Sequence, residues 1–117
     1  MKDFKKLKIW QQGMEITDLI YDMSVSMPNT EKFGLTSQMT RAAVSIPSNI
    51  AEGSSRRSEK DYFRFCEIAL GSAYELETQL LVVLKRGWIE EAKVNLIINL
   101  ITEEQRMLFG FMDKLNK

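Results

Sequence analysis

In residues 58–87, SEKDYFRFCEIALGSAYELETQLLVVLKRG, apolar side chains recur at alternating spacings of four and three. The stripe consists of Tyr62, Cys66, Ala69, Ala73, Leu76, Leu80 and Val83. This period keeps every member on one face of an α-helix. Ser58 is a typical N-cap residue with Asp61 three positions later, and Gly87 is a typical helix end. We therefore predict a helix over residues 58–86.

Three further segments repeat this helical period, and we predict helices over residues 7–26, 35–53 and 89–115. Pro28 ends the first of them. Pro47 lies inside the second and removes one backbone N–H, so we predict a kink near Ile46. Gly53 is expected to follow the second helix as its C′ residue. Four helices with short connections predict an all-α protein, a single up-down-up-down four-helix bundle over residues 1–117.

The residue types present exclude most enzyme chemistry. The chain has no histidine and one cysteine, Cys66, so it lacks the commonest general base and any disulfide framework. Cys66 falls in the apolar stripe and is interpreted as an inert core thiol. Glu104 is interpreted as a carboxylate flanking the seam of the fourth helix, not as a metal ligand. We expect no enzymatic activity, no metal and no cofactor.

No signal peptide or membrane span is visible in the sequence, so we expect a cytoplasmic protein without membrane contact. The third helix nevertheless carries more apolar side chains than one bundle core needs. The additional ones are Phe63, Phe65, Ile68, Leu70, Tyr74, Leu81, Val82 and Leu84. Large exposed apolar patches are rare on monomers, so this excess favours self-association. A wide core face with scattered surface apolar residues is the open alternative.

Charge is distributed unevenly along the predicted bundle although the net charge is zero. The end formed by the start of helix one, the connection from helix two to helix three, and the carboxyl terminus holds ten basic and five acidic side chains. The basic ones are Lys2, Lys5, Lys6, Lys8, Arg56, Arg57, Lys60, Arg64, Lys114 and Lys117. Arg57, Lys60 and Arg64 are expected to share one helix face by their spacing. Clustered cations suit a phosphate backbone or an acidic protein, and a merely solvated end is the alternative.

Residues 42–53, AAVSIPSNIAEG, are the most unusual stretch of the chain. Its characteristic residues are Ser45, Pro47, Ser48, Asn49, Glu52 and Gly53. In a structural interpretation, the polar side chains satisfy the backbone carbonyl freed by Pro47 and brace a neighbouring helix. In a functional interpretation, they form a contact surface for a partner. We favour the structural interpretation.

Several motifs resemble a bacterial family known as four-helix bundle proteins, or 23S rRNA intervening-sequence proteins. They are LKIWQQGM at 7–14, FGL at 33–35 with QM at 38–39, RAAVSIPSNIAEG at 41–53, SEKDYF at 58–63 and GSAYELETQL at 71–80. The resemblance implies a bundle that assembles into a homo-oligomer, a pentameric ring. It extends to the accessory factor of diversity-generating retroelements, a basic pentamer that binds nucleic acid. This chain departs from the basic pattern, with Thr40 beside Arg41 where many relatives carry a second arginine.

Two functional hypotheses follow from charge and resemblance. The first is an oligomeric protein that binds RNA or a ribonucleoprotein through its basic end. The candidate binding residues are Lys5, Lys6, Lys8, Arg56, Arg57, Lys60 and Arg64. The second is a protein–protein assembly module with no role in nucleic-acid binding.

Overall fold

The computed structural model describes residues 3–115, which form four α-helices and no strand. Helix α1 spans Lys8–Ser24, α2 Leu35–Ser54, α3 Glu59–Arg86 and α4 Glu91–Asp113. Short 3-10 turns at Phe4–Lys6 and Asn29–Glu31 precede α1 and α2. Each helix end lies within two residues of its predicted position. The all-α, four-helix prediction is confirmed.

The helices form a closed square in chain order. Each helix packs against its neighbours in sequence, and α4 closes the square against α1. The bundle measures 43 × 23 × 21 Å. Its centre is filled by the seams of all four helices, and the largest fully buried apolar side chains are Ile16, Ile20, Met39, Ile46, Ile50, Leu76, Leu80, Val83, Val94, Ile101 and Leu108. Burial of these seams is the main stabilising term for helices that would be marginal alone.

Side-chain hydrogen bonds cross all four helix–helix contacts. The Thr17 hydroxyl of α1 donates to the Ala43 carbonyl of α2 at 3.1 Å, and the Ser45 and Ser72 hydroxyls join α2 to α3 at 2.7 Å. Between α3 and α4, the Gln105 amide donates to Glu77 at 2.8 Å. Between α4 and α1, the amide of Gln12 donates to the Leu100 carbonyl at 2.9 Å. These bonds fix the register of helices whose apolar seams alone would tolerate sliding.

The ends of α3 follow the predicted capping. The Ser58 hydroxyl accepts the Asp61 N–H at 3.1 Å, which satisfies one of the free donors of the first turn. Gly87 has a φ of 70°, and its N–H donates to the Leu84 carbonyl at 3.1 Å while that of Trp88 donates to the Val83 carbonyl at 3.3 Å. This pair of bonds is a Schellman motif, which needs a left-handed residue at the position of Gly87.

Gly53 has a different role from the one predicted. It lies inside α2, which continues to Ser54, so its assignment as a C′ residue is wrong. A Cβ atom on Gly53 would come within 2.8 Å of the Phe65 Cβ and 2.9 Å of the Tyr62 ring. The absence of a side chain therefore allows α2 and α3 to approach closely at this point.

Pro47 does not interrupt α2, which remains helical on both sides of it. The ring removes the N–H that would bond the Ala43 carbonyl four residues earlier. Thr17 of α1 supplies the missing donor, whereas the prediction assigned this task to side chains within residues 45–52. That assignment is wrong, because the donor comes from another helix. The kink near Ile46 stays a prediction.

In the described part of the chain, none of the helices is both long enough and apolar enough to cross a bilayer.

Candidate nucleic-acid-binding end

Contacts between the helices bring the start of α1, the α2–α3 connection and the end of α4 to one end of the bundle. The turn that precedes α1 packs against α2. Gly53 near the end of α2 meets Tyr62 in the first turn of α3, and the ring of Tyr62 lies edge-on to Phe111 of α4 at 5.3 Å. We call this the basic end, and the opposite end of the bundle the distal end.

All seven candidate residues lie at the basic end with exposed side chains: Lys5, Lys6, Lys8, Arg56, Arg57, Lys60 and Arg64. Lys114 is exposed at the same end. Lys2 and Lys117, which the charge pattern also assigns to it, lie outside the described residues. The first residues of α1 carry no side-chain cap, so free N–H groups of its first turn add partial positive charge beside Lys8.

Arg56 is the most constrained cation of the basic end. Its guanidinium donates to the Glu52 carboxylate at 2.9 Å and lies 4.6 Å from the centre of the Phe65 ring. The ion pair offsets its charge, and the ring contact fixes its position. Arg56 is therefore less available to a phosphate than its neighbours are.

Lys60 and Arg64 lie four residues apart in α3 and share one exposed face. Neither makes an ion pair with another residue between positions 3 and 115. Arg57 precedes the cap residue Ser58 and lies in the connection, so the expectation that it shares the helix face is wrong. The acidic Glu59 and Asp61 occupy the first turn of α3, where they complement the helix dipole and lower the local positive potential.

The aromatic side chain beside the lysines is occupied by packing. Phe4 lies edge-on to Trp10 with ring centres 5.3 Å apart, and the Lys5 ammonium is 6.0 Å from the Phe4 ring. A free aromatic ring beside lysines can stack on a nucleic-acid base. The contact with Trp10 instead attaches the 3-10 turn to α1.

The motif of residues 42–53 divides into bracing and exposed positions. The Asn49 amide donates to the Ser45 carbonyl at 2.8 Å and to the Ser45 hydroxyl at 2.9 Å, which orients Ser45 toward Ser72 of α3. Ser48 is exposed, and Glu52 pairs with Arg56. Most of the motif thus acts within the fold, and Glu52 connects it to the basic end.

Helix α1 approaches α2 closely at Pro47. For this reason the motif of residues 42–53 does not have to supply the hydrogen-bond donor for the Ala43 carbonyl. A Cβ on Gly13 would lie 3.3 Å from atoms of both Ile46 and Pro47, so only glycine lets α1 come this near without displacing them. One turn later, Thr17 reaches the Ala43 carbonyl. The signal available in the sequence was the spacing of Gly13 and Thr17 on the face of α1 that also carries Ile16 and Ile20.

Glu104 is fully buried, so its interpretation as a flanking carboxylate is wrong. Its exposed fraction is 0%, and neither carboxylate oxygen has a hydrogen-bond partner among residues 3–115. Burial, and secondarily the charge of Glu103, raises the pKa of Glu104 to about 8. Its seam position was visible in the spacing, three residues after Ile101 and four before Leu108. At neutral pH the side chain is mostly protonated and reaches no solvent.

The other potentially reactive groups of the described residues are Cys66 and the acidic side chains. Burial raises the pKa of the Cys66 thiol to about 12, so it stays protonated and is a weak nucleophile. Between residues 3 and 115, no three acidic or cysteine side chains converge in a way that could hold a metal ion.

Comparisons with known proteins agree with the fold. The family model described as 23S rRNA-intervening sequence protein matches residues 5–110. A solved structure from Bacteroides thetaiotaomicron, described as a protein with unknown function from the S23 ribosomal protein family, is 26% identical with a TM-score of 0.83. The match covers 89% of this chain and 97% of that chain. No curated protein matches this chain significantly.

Proposed function

The chain belongs to the 23S rRNA-intervening sequence protein family, and on this premise we propose a self-assembling, non-enzymatic protein that binds RNA or a ribonucleoprotein in the cytoplasm. Family membership supplies the architecture. The specific proposal rests on the basic end.

The observation that carries the proposal is the group of exposed cations around the start of α3. Lys60 and Arg64 project from one helix face without ion-pair partners among the described residues, with Arg57 beside them in the connection. Lys5, Lys6 and Lys8 approach the same end from α1. Phosphates bound by such cations release counterions, which supplies most of the affinity in sequence-independent binding. The descriptions of the matching family and of its solved relative both refer to ribosomal components, which favours RNA as the anion.

The non-enzymatic part of the proposal is supported by the state of the titratable groups in the core. Glu104 is sealed from solvent, and the chain has no histidine to activate the buried Cys66 thiol. A general acid or nucleophile must reach its substrate, and neither group does.

Self-assembly is supported by exposed apolar side chains on two different sides of the bundle. Tyr74 and Phe109 are about half exposed and line a groove between α3 and α4. Met14 and Val44 are exposed beside another groove, between α1 and α2. Different surfaces on each copy favour heterologous contacts that close into a ring. That the ring has five copies is implied by the family resemblance alone. A ring with parallel copies would repeat the basic end on one face and raise affinity through effective concentration.

A filter-binding titration with a structured RNA tests the proposed activity. Binding should weaken steeply between about 50 and 200 mM salt, with a log–log slope of about −0.9 per duplex phosphate contacted. Light scattering on the same sample should give a mass at least twice the chain mass of 13.5 kDa. Absence of binding to structured RNA at low salt would overturn the RNA-binding proposal.

A protein–protein assembly module is the second candidate, and the apolar groove between α3 and α4 favours it. Glu67 and Asp113 lie on this groove with Tyr74 and Phe109, and their carboxylates repel a phosphate backbone. A pull-down from the native host that returns one protein partner, unchanged by nuclease, would favour this candidate over RNA binding.

A further inference from the structure

Exposed cations enter the basic end from two helices on a diagonal of the bundle. Lys60 and Arg64 belong to the start of α3, and Lys8 is the first residue of α1. In the described part of the chain, α1 and α3 share no backbone contact, and α4 packs against both of them. Neighbouring helices lie about 8–10 Å apart, so axes on a diagonal are about 11–14 Å apart. The two sets of cations therefore suit two separate lines of phosphates.

The aromatic rings nearest these cations are engaged by other side chains. The contacts are Phe4 with Trp10 at 5.3 Å, Tyr62 with Phe111 at 5.3 Å, and Phe65 with the Arg56 guanidinium at 4.6 Å. Tyr62 is buried and the other rings are half-buried. Proteins that hold single-stranded RNA stack its bases on free aromatic rings beside a basic groove. The rings nearest the cations are thus packed within the fold and do not form such a stacking surface.

The exposed ring nearest the basic end is Phe109, one turn before the end of α4, and carboxylates flank it. Its exposed fraction is 49%, and it lines the α3–α4 groove together with Glu67 and Asp113. Both acidic side chains are exposed. A base stacked on Phe109 would bring its phosphate toward these two carboxylates, which repel it. The groove therefore opposes the one stacking contact that an unpaired base could make close to the cations.

Double-helical RNA requires what the basic end provides. It is recognised through phosphates and 2′-hydroxyl groups across a wide, shallow minor groove, and its bases stay stacked on each other. The two strands that border this groove present separate lines of phosphates. Recognition therefore needs separated cations and no aromatic platform.

We propose that the RNA bound at the basic end is double-helical, with Lys60 and Arg64 on the phosphates of one strand and Lys8 on those of the other. Such binding follows the shape of the duplex and not its sequence. This inference rests on the proposed RNA binding and names the form of RNA that is bound.

One RNA measured in two forms tests the inference. An unstructured RNA of about 20 nucleotides is titrated by filter binding at low salt, alone and annealed to its complement. The duplex should bind about 10-fold more tightly at equal phosphate concentration. Equal or tighter binding of the single strand overturns the duplex inference and leaves RNA binding standing. Absence of binding by either form overturns the proposed RNA binding, and the inference with it.

Lys8→Ala tests the contact with the second strand, because a duplex also has a higher charge density than a single strand. The variant should reduce the salt slope for the duplex by about one and leave the slope for the single strand unchanged. Lys93→Ala is the matched control, since Lys93 is an exposed lysine in the first turn of α4 at the distal end. An equal change for both RNA forms, or no change for either, overturns the assignment of Lys8 to a second strand.

Phe109→Leu tests for base stacking while keeping the groove apolar. A stacked base would contribute about 5- to 160-fold to affinity. The ratio of duplex to single-strand affinity is the readout, because a change in assembly would alter both affinities alike. The ratio should stay within about twofold of the wild-type value, as it should in Phe33→Leu, which changes an exposed ring at the distal end. A rise of about fivefold in the ratio for Phe109→Leu alone would show stacking and overturn the inference.

Discussion

The Thr17 hydroxyl of α1 donates a hydrogen bond of 3.1 Å to the Ala43 carbonyl of α2, the oxygen that Pro47 leaves without its helical donor. The same hydroxyl lies 2.8 Å from the Gly13 carbonyl, so its single proton is shared between two helices. A proline inside a helix normally frees a carbonyl that must find water or another donor. Here the donor comes from the adjacent helix, and the proline becomes part of a specific α1–α2 contact.

Thr17→Val should destabilise the protein by about 1–3 kcal/mol, because the buried Ala43 carbonyl would lose its donor while the packing volume is retained. In a Pro47→Ala background the penalty should be smaller, since the restored backbone N–H can bond the same carbonyl. Urea unfolding of the wild type, both single variants and the double variant measures this coupling. Thr17→Ser keeps the hydroxyl and serves as control. Equal penalties for Thr17→Val in both backgrounds would contradict the assigned role.

Gly53→Ala should destabilise the protein by about 2–3 kcal/mol, because the new methyl group would overlap the Phe65 Cβ and the Tyr62 ring. The Phe65 Cβ is bonded directly to the α3 backbone and cannot rotate away. Gly110→Ala in α4 is the control: no described atom outside its own helix turn lies within 4 Å of the position that the alanine methyl would take, and alanine favours a helix by up to about 1 kcal/mol. Thermal unfolding should move the two variants in opposite directions, and a neutral Gly53→Ala would show that α2 and α3 can separate freely.

Glu104 should make the protein less stable as the pH rises from about 5 to 8. Burial raises its pKa to about 8 in the folded state from the ordinary value of 4.5, so the folded protein retains a proton that the unfolded chain has already lost. The stabilisation from this proton is fully present below the unfolded pKa and is lost as the pH rises through the folded pKa. The loss is on the order of 3 kcal/mol over this interval.

Glu104→Gln should remove this part of the pH dependence, because the amide is neutral throughout. Denaturant unfolding at pH 5, 6, 7 and 8 gives the free energy of unfolding for both proteins. The wild-type curve should fall relative to that of the variant. Parallel curves would mean that Glu104 is ionised in the folded state or reaches solvent.

The sequence was most informative where stability depends on local period and capping. The spacing of Tyr62, Cys66 and Ala69 predicts a buried face, and Gly87 predicts the end of α3, because both signals depend on near neighbours in the chain. Gly53 was misassigned because a glycine is needed there for the close approach of α3. No local sequence pattern within α2 indicates that contact. Thr17 was missed for the same physical reason: its acceptor lies 26 residues away. The seven candidate cations are exposed at one end of the bundle, as their positions in the chain and the topology together predict. The ion pair between Arg56 and Glu52 could not be predicted in this way, because it depends on side-chain geometry.

The cations of the basic end should contribute unequally to RNA binding. Replacing both Lys60 and Arg64 with alanine should weaken binding at low salt about 10- to 100-fold and reduce the salt slope by about two, since each phosphate contact contributes about one. Arg56→Ala should have a smaller effect, because Glu52 already offsets its charge. Glu52→Gln should strengthen binding by releasing Arg56 and removing a negative charge.

The matched control for this pair is Lys85→Ala with Arg86→Ala, which removes one lysine and one arginine from the same helix at the distal end. Net charge changes equally in the two double variants, so a difference in affinity reports position and not total charge. Filter binding with one structured RNA over a salt series measures all four proteins beside the wild type. If the distal pair weakens binding as much as Lys60 and Arg64 do, RNA responds only to net charge and the basic end is not a specific surface.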